Sequence, residues 1–346
     1  KTAGFIVTVA AAYYLRNYWA LVLGTLATQV CGFVVSYWCY PFKPAFTLSK
    51  VRDLWGYSVW LSLANFVKTL NIKQDQFLVG KMFSTETTGF YSMGTRLSSV
   101  LFTDTLGAAL RVISPSLRAY TADKVELGKA YLHAQSLVTL VFLPLASVTS
   151  ALAYPLIEFT LGNKWIEVTE VFRFLVLAVC LEAIGGVGLS VVVATLNTRL
   201  AFLRDLVSIV IRALCMGAGL YLGGFIGLLA GRALSSVIDL LLYFTIAGKV
   251  TGLHIRKQLF LSWRTWLACA LVYPFLYWIQ TWPVMEIGDS KLHQAAGLFG
   301  LILLGLLMQF VIQGLLWRVS GKPQSIEVVF MAYLKGKFKL QGQKSF

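Results

Sequence analysis

NFVKTLNIKQDQFLVGKMFSTETTGFYSMGTRLSSVLFTDT, residues 65–105, is the stretch whose reading decides the fold. It sets Asn65, Lys68, Lys73, Asp75, Arg96 and Asp104 inside two segments otherwise apolar enough for a bilayer, joined by the short polar turn 84–89. A charge at bilayer depth is costly and faces a protein interior or a water-filled cavity. The stretch therefore reads as a long helix, a tight turn and a second helix, together lining a polar path.

The rest of the chain agrees with a membrane setting. Of its 346 residues, 58% are hydrophobic and 13% charged, against roughly 45–50% and about 25% in a soluble domain. The excess recurs in runs near the length of about 20 residues that spans the hydrocarbon as a helix. This predicts an all-α polytopic membrane protein. The net charge of +15 is no sign of a nucleic-acid partner, because the cations gather in alternate loops. The five cysteines lie in apolar runs without a CxxC pair and read as small core residues. No phosphate-binding GxxxxGK, HExxH or GxSxG pattern occurs, and His133, His254 and His293 do not share a span. Asp289 and His293 share a loop without forming a recognisable catalytic set. Neither an enzyme nor direct ATP coupling is expected.

Outward from the opening stretch, the chain divides into ten predicted spans: 2–15, 18–40, 54–83, 90–113, 131–155, 169–195, 205–222, 225–247, 265–282 and 295–317. Trp19, Tyr37, Trp38 and Tyr40 mark the ends of the second, as interfacial aromatics do. The Pro-rich loop 41–53 separates two bundles, and Pro144 predicts a kink. Gly223-Gly224 joins two neighbouring spans. Segment 114–130 reads as a basic loop, 156–168 as an interfacial loop, 197–204 as a basic turn, 248–264 as a surface segment and 318–346 as a basic tail. One set of loops carries Lys43, Lys50, Arg52, Arg111, Arg118, Lys124, Lys129, Arg199, Arg204, Lys249, Arg256, Lys257 and Arg264 besides the tail. The other carries only Arg16, Lys164 and Lys291 against six acids. The positive-inside rule makes the first set, and the C-terminus, cytoplasmic.

Helical spacing places the charges left at depth. Asn65, Lys68 and Asp75 share one face. So do Asp205, Ser208 and Arg212, and again Arg232, Ser235, Ser236, Asp239 and Tyr243. Arg96 lies with Ser99 and Thr103, and Glu182 with Gly185, Gly186 and Ser190. Two readings stand. Lys68, Arg96, Arg212 and Arg232 form a cationic cavity for an anionic headgroup, with Asp75, Glu182 and Asp239 as ion-coupling or structural acids. Alternatively, these groups are interhelical ion pairs. Arg16, Lys81 and Arg173 read as snorkelling to the interface.

At DQFLVGKMFSTETTGFYSMGTRLSSVLF, residues 75–102, the chain resembles the polysaccharide transporter family, the Wzx-type lipid-linked oligosaccharide flippases of the multidrug/oligosaccharidyl-lipid/polysaccharide exporter superfamily. Asp75, Leu78-Val79-Gly80, Gly89-Phe90-Tyr91-Ser92 and Arg96-Leu97 carry the likeness, with Ser114-Pro115-Ser116-Leu117 and Leu161-Gly162-Asn163-Lys164-Trp165 further on. The resemblance implies two six-helix lobes. On that frame 1–40 ends an N-terminal lobe whose first four helices lie outside this sequence, and 41–53 links the lobes. Residues 54–247 are then the C-terminal lobe, 248–264 an interfacial loop, 265–317 two additional helices and 318–346 the tail. It further implies a flippase of the bacterial inner membrane. That protein moves a polyprenyl-pyrophosphate-linked oligosaccharide by alternating access, driven by a proton or sodium gradient, for O-antigen, capsule or exopolysaccharide assembly. Its partners are the lipid-linked oligosaccharide, membrane lipids, and polymerase and other assembly proteins. The competing readings are a cation-drug antiporter on the same fold, a membrane glycosyltransferase and an assembly scaffold.

Overall fold

The computed structural model describes residues 2–39, 51–280 and 291–320. They are helical throughout, with no strand among the described residues. Calls that fall on 41–50, on 281–290 and on most of the tail lie outside them. The chain divides into two compact units, Lys1–Leu61 and Ser62–Phe346.

In the first unit, α1 (Thr2–Leu15) and α2 (Trp19–Cys39) form a hairpin turning at Arg16 and Asn17, where Arg16 takes φ 45°. Thr8 lies against Gly24 and Thr28 against Gly4, so closely that a Cβ on either glycine would overlap a hydroxyl. α3 (Val51–Met82) begins in this unit and runs on into the second.

The second unit continues with α4 (Thr85–Ser98), a π-helical turn (Ser99–Asp104), α5 (Thr105–Arg118), α6 (Lys124–Ala151), α7 (Ala153–Leu161), a 3-10 turn (Asn163–Trp165) and α8 (Val168–Ala194). Then come α9 (Thr198–Thr251), α10 (Ile255–Phe260), α11 (Trp263–Ile279) and α12 (Lys291–Val319). α8 lies at the centre, packed by α4, α5, α6 and α9. Phe102, Leu127, Tyr131, Ile184 and Phe244 are among the fully buried side chains of this core. The approach of α4 to α8 depends on Gly94, where a Cβ would stand 2.6 Å from Val171 Cγ1. α11 and α12 add to the outside of α6 through Val148, Leu152, Val272, Leu276 and Leu301.

α9 is nominally 54 residues, but Gly223 and Gly224 break it; Gly224 takes φ 58°, ψ −135°, open to glycine alone. The two arms fold back on each other so tightly that a Cβ on Gly219 would lie 2.1 Å from the Gly227 carbonyl oxygen. These arms are the predicted spans 205–222 and 225–247.

Six helices among the described residues are long and apolar enough to cross a membrane, α9 counting once. Of the remaining predicted spans, α1 has 14 residues, α11 has 17, and α3 has 32 but is polar-marked. Several boundaries move. The expected turn at 84–89 is mostly the first turn of α4: Ser84 caps it, its Oγ accepting the Thr87 N–H at 3.2 Å, with Glu86 at the positive end of the helix. The expected loop 114–130 shrinks to five residues. α5 continues through Pro115, and the Asp123 carboxylate accepts the Val125 N–H at 2.7 Å to start α6 early. α6 also runs through Pro144 without ending. The expected interfacial loop 156–168 is mostly α7 and the 3-10 turn.

Candidate functional site: a buried ion network

Four spans meet around three arginines. α3 contributes Asn71 and Asp75, one turn apart. α8 contributes Glu182. The first arm of α9 contributes Arg204, Ser208 and Arg212, spaced four apart, and the second contributes Arg232, Ser236 and Asp239. The guanidinium of Arg232 lies between Asp75 (Nε to Oδ2, 2.6 Å) and Glu182 (Nη2 to Oε1, 2.9 Å), and also donates to Ser236 Oγ. Arg212 donates through Nη2 to Glu182 Oε1 at 2.6 Å and Asp239 Oδ2 at 3.1 Å, and through Nη1 to the Asn71 carbonyl at 2.8 Å. Arg204 pairs with Asp205 at 2.8 Å and Asp239 at 3.3 Å, its guanidinium 3.6 Å from the centre of the Tyr243 ring. The Tyr91 hydroxyl on α4 donates to Asp75 Oδ2 at 3.3 Å, and Asn71 donates to Ser208 at 3.2 Å.

The burial is deep. Side-chain exposure is 5% for Arg232, 6% for Arg212, 8% for Asp75 and 1% for Asp239; Glu182, at 24%, is the more open member. Three guanidinium groups face four carboxylates, so the charges nearly cancel. Electrostatics of this kind tie helices together. Removing one partner strands the other charge in a low-dielectric interior at a cost of about 3–5 kcal/mol.

The seven sequence-predicted site residues thus part into two groups. Arg212, Arg232, Asp75, Glu182 and Asp239 come together, and they pair with one another across helices. Both arginines, expected as cavity cations, are ion-paired with carboxylates in this structure. Lys68 and Arg96 stand apart. Lys68 lies two turns before Asp75 on the same side of α3, and Arg96 lies near the end of α4. Both side chains are exposed, and neither is in an ion pair among the described residues. The π-helical turn immediately after α4, with Thr105 Oγ1 donating five residues back to Val100, adds a local irregularity beside Arg96. Such turns recur at functional positions.

Three members of the network carry no mark as site residues in the sequence. Asn71, uncharged between Lys68 and Asp75, has nothing in its residue type to single it out. Tyr91 reads as part of a family-like motif, with no charge to mark it. Arg204, expected in a basic turn at 197–204, lies instead inside α9, which starts at Thr198, and is 6% exposed. Its signal was the stripe 204–208–212 at intervals of four. Arg264, counted as a loop cation, is likewise buried at the start of α11. Arg173, expected at the interface, pairs with Glu170 and lies 5.0 Å from the Tyr277 ring centre.

This fold defines an all-α polytopic membrane protein. The solved structure of "Lipid II flippase MurJ, inward closed conformation" aligns with a TM-score of 0.70 at 13% identity, covering 91% of this chain and 66% of that one. The chain therefore spans just under two thirds of that protein's length, and at this identity the likeness concerns the fold. Residues 1–170 match the family model described as "Polysaccharide biosynthesis protein"; all three family-like motifs lie within that range. That match covers just under half of the chain. No curated protein matches the chain in sequence.

Proposed function

We propose that the chain is the greater part of a flippase that moves a polyprenyl-pyrophosphate-linked oligosaccharide across the bacterial inner membrane for surface-polysaccharide assembly. The observation that carries this reading is the flippase-type fold in a chain whose first 170 residues match a polysaccharide-biosynthesis family. A sugar headgroup is too polar for hydrocarbon, and two lobes that open alternately to each side give it a wet route. Within that scheme the ion network keeps α3, α8 and both arms of α9 together as the lobe moves. Exposed Lys68 and Arg96 make the charge-assisted contacts to the pyrophosphate.

The test is complementation, using the complete reading frame in a strain lacking its own polymer flippase. Wild type restores surface polymer. Lys68→Ala and Arg96→Ala, at equal membrane abundance, each reduce it about tenfold or more, the effect of one lost charge-assisted hydrogen bond. Full restoration by both variants removes the contact assignment. Failure of the wild type with every lipid-linked repeat tried removes the flippase reading.

A further inference from the structure

Away from the ion network, an apolar groove of about 580 Å³ runs between the second arm of α9 on one side and α10 with the start of α11 on the other. Its walls include Leu240, Leu241, Phe260, Trp263, Trp266 and Leu267, and none of the residues around it is charged. It is open rather than sealed: Phe260 is 69% exposed, and Leu241, Trp263 and Leu267 each expose more than a third of their surface.

The chain that frames this groove is unusual in charge. From Leu240 to Gln280 there is no Asp or Glu, while Lys249, Arg256, Lys257 and Arg264 all fall there. Three of these cations lie on the same helices as the groove's walls, α9 and α10, outside its apolar lining. Lys249 is exposed near the end of α9, and Arg256 and Lys257 are exposed on α10. Trp263 sits just beyond them at the start of α11, where an interfacial aromatic belongs. Cations at a membrane surface with no acids beside them select anionic amphiphiles, and apolar walls below them accept hydrocarbon.

We propose that this groove is a docking site for an anionic glycerophospholipid of the surrounding membrane. Acyl chains lie along the walls between α9 and α11, and the phosphate rests on Lys249, Arg256 and Lys257. The open length favours a resident lipid that exchanges sideways with the bilayer. The proposed function puts the cargo's pyrophosphate on Lys68 and Arg96, which leaves the exposed cations of α9 and α10 for a different anionic headgroup.

The experiment is native mass spectrometry of the full chain, loaded with equimolar phosphatidylglycerol and phosphatidylethanolamine of matched acyl length. Phosphatidylglycerol should be retained about tenfold over phosphatidylethanolamine, and Arg256→Gln/Lys257→Gln should bring the two close to parity. Arg256→Lys should keep the preference. Leu241→Trp, which fills the groove, should lower retention of both. Should the double variant not fold, high salt applied to wild type should erase the preference by screening. Equal retention of the two lipids by wild type overturns the proposal. So does a preference unchanged in the double variant or in high salt, or displacement of phosphatidylglycerol by an equimolar polyprenyl phosphate. None of these outcomes depends on the complementation result.

Discussion

At the scale of single residues, the informative contrast is between Arg232 and Arg96. Both are cations in membrane-spanning helices, and both stand in helical stripes with serines. Arg232 is enclosed by Asp75, Glu182 and Ser236, whereas Arg96 is exposed. Removing the first is a folding event; removing the second is not. Arg232→Met should lower stability by about 3–5 kcal/mol, since two carboxylates lose a partner. Arg232→Met/Asp75→Leu removes one charge of each sign and leaves Glu182 with Arg212. It should therefore recover most of that loss, because an apolar replacement of a buried pair is often neutral. Thermal unfolding in detergent reads both, and a double variant no better than the single one means that Asp75 is not the partner that matters. Helical spacing showed which faces carried charge. It did not show who pairs with whom, because Asp75 and Arg232 are 157 positions apart and several acids and bases compete for the same low-dielectric space.

At the scale of elements, the sequence was legible wherever periodicity and length decide, and misleading wherever a cap or a proline does. Spans 169–195 and 295–317 lie close to α8 and inside α12 respectively, because nothing within them competes with helix. The segments 84–89 and 114–130 read as loops because they are polar. Ser84 and Asp123 turn that polarity into helix starts, and a proline late in a helix removes one hydrogen bond without stopping it. The α9 arms show what glycine positions encode. Gly219 and Gly227 face each other backbone to backbone, so an added methyl has no flexible side chain to push aside. Gly219→Ala and Gly227→Ala should each cost about 1–3 kcal/mol. Gly217→Ala, two residues away with nothing within 4 Å of its Cβ, should be neutral or slightly stabilising. Melting temperatures of the three variants separate close packing from plain helix propensity, and a loss at Gly217 equal to that at Gly219 would refute the packing account.

At the scale of the whole molecule, composition and the recurrence of long apolar runs were sufficient for the class of fold. The way α3, α8 and the two arms of α9 lock together depends on contacts that no local pattern records. One consequence concerns how such a chain enters a membrane at all. The first arm of α9 carries Arg212 near its middle, and an unpaired arginine at the centre of an inserting helix costs about 2.5–3.5 kcal/mol. Its answering acid across the turn, Asp239, lies on the second arm, and Gly223-Gly224 allows the reversal without a connecting loop. The first arm is therefore a poor passenger until the second has been synthesised, and the two should leave the translocon together. In a glycosylation-mapping insertion assay, residues 198–222 alone should insert inefficiently and residues 198–251 as a hairpin, with Asp239→Leu returning the hairpin toward the single-arm level; efficient insertion of the first arm alone would refute this. The glycine turn thus sets the order of assembly as well as the shape, making a pair of helices the smallest piece of this region that the membrane accepts.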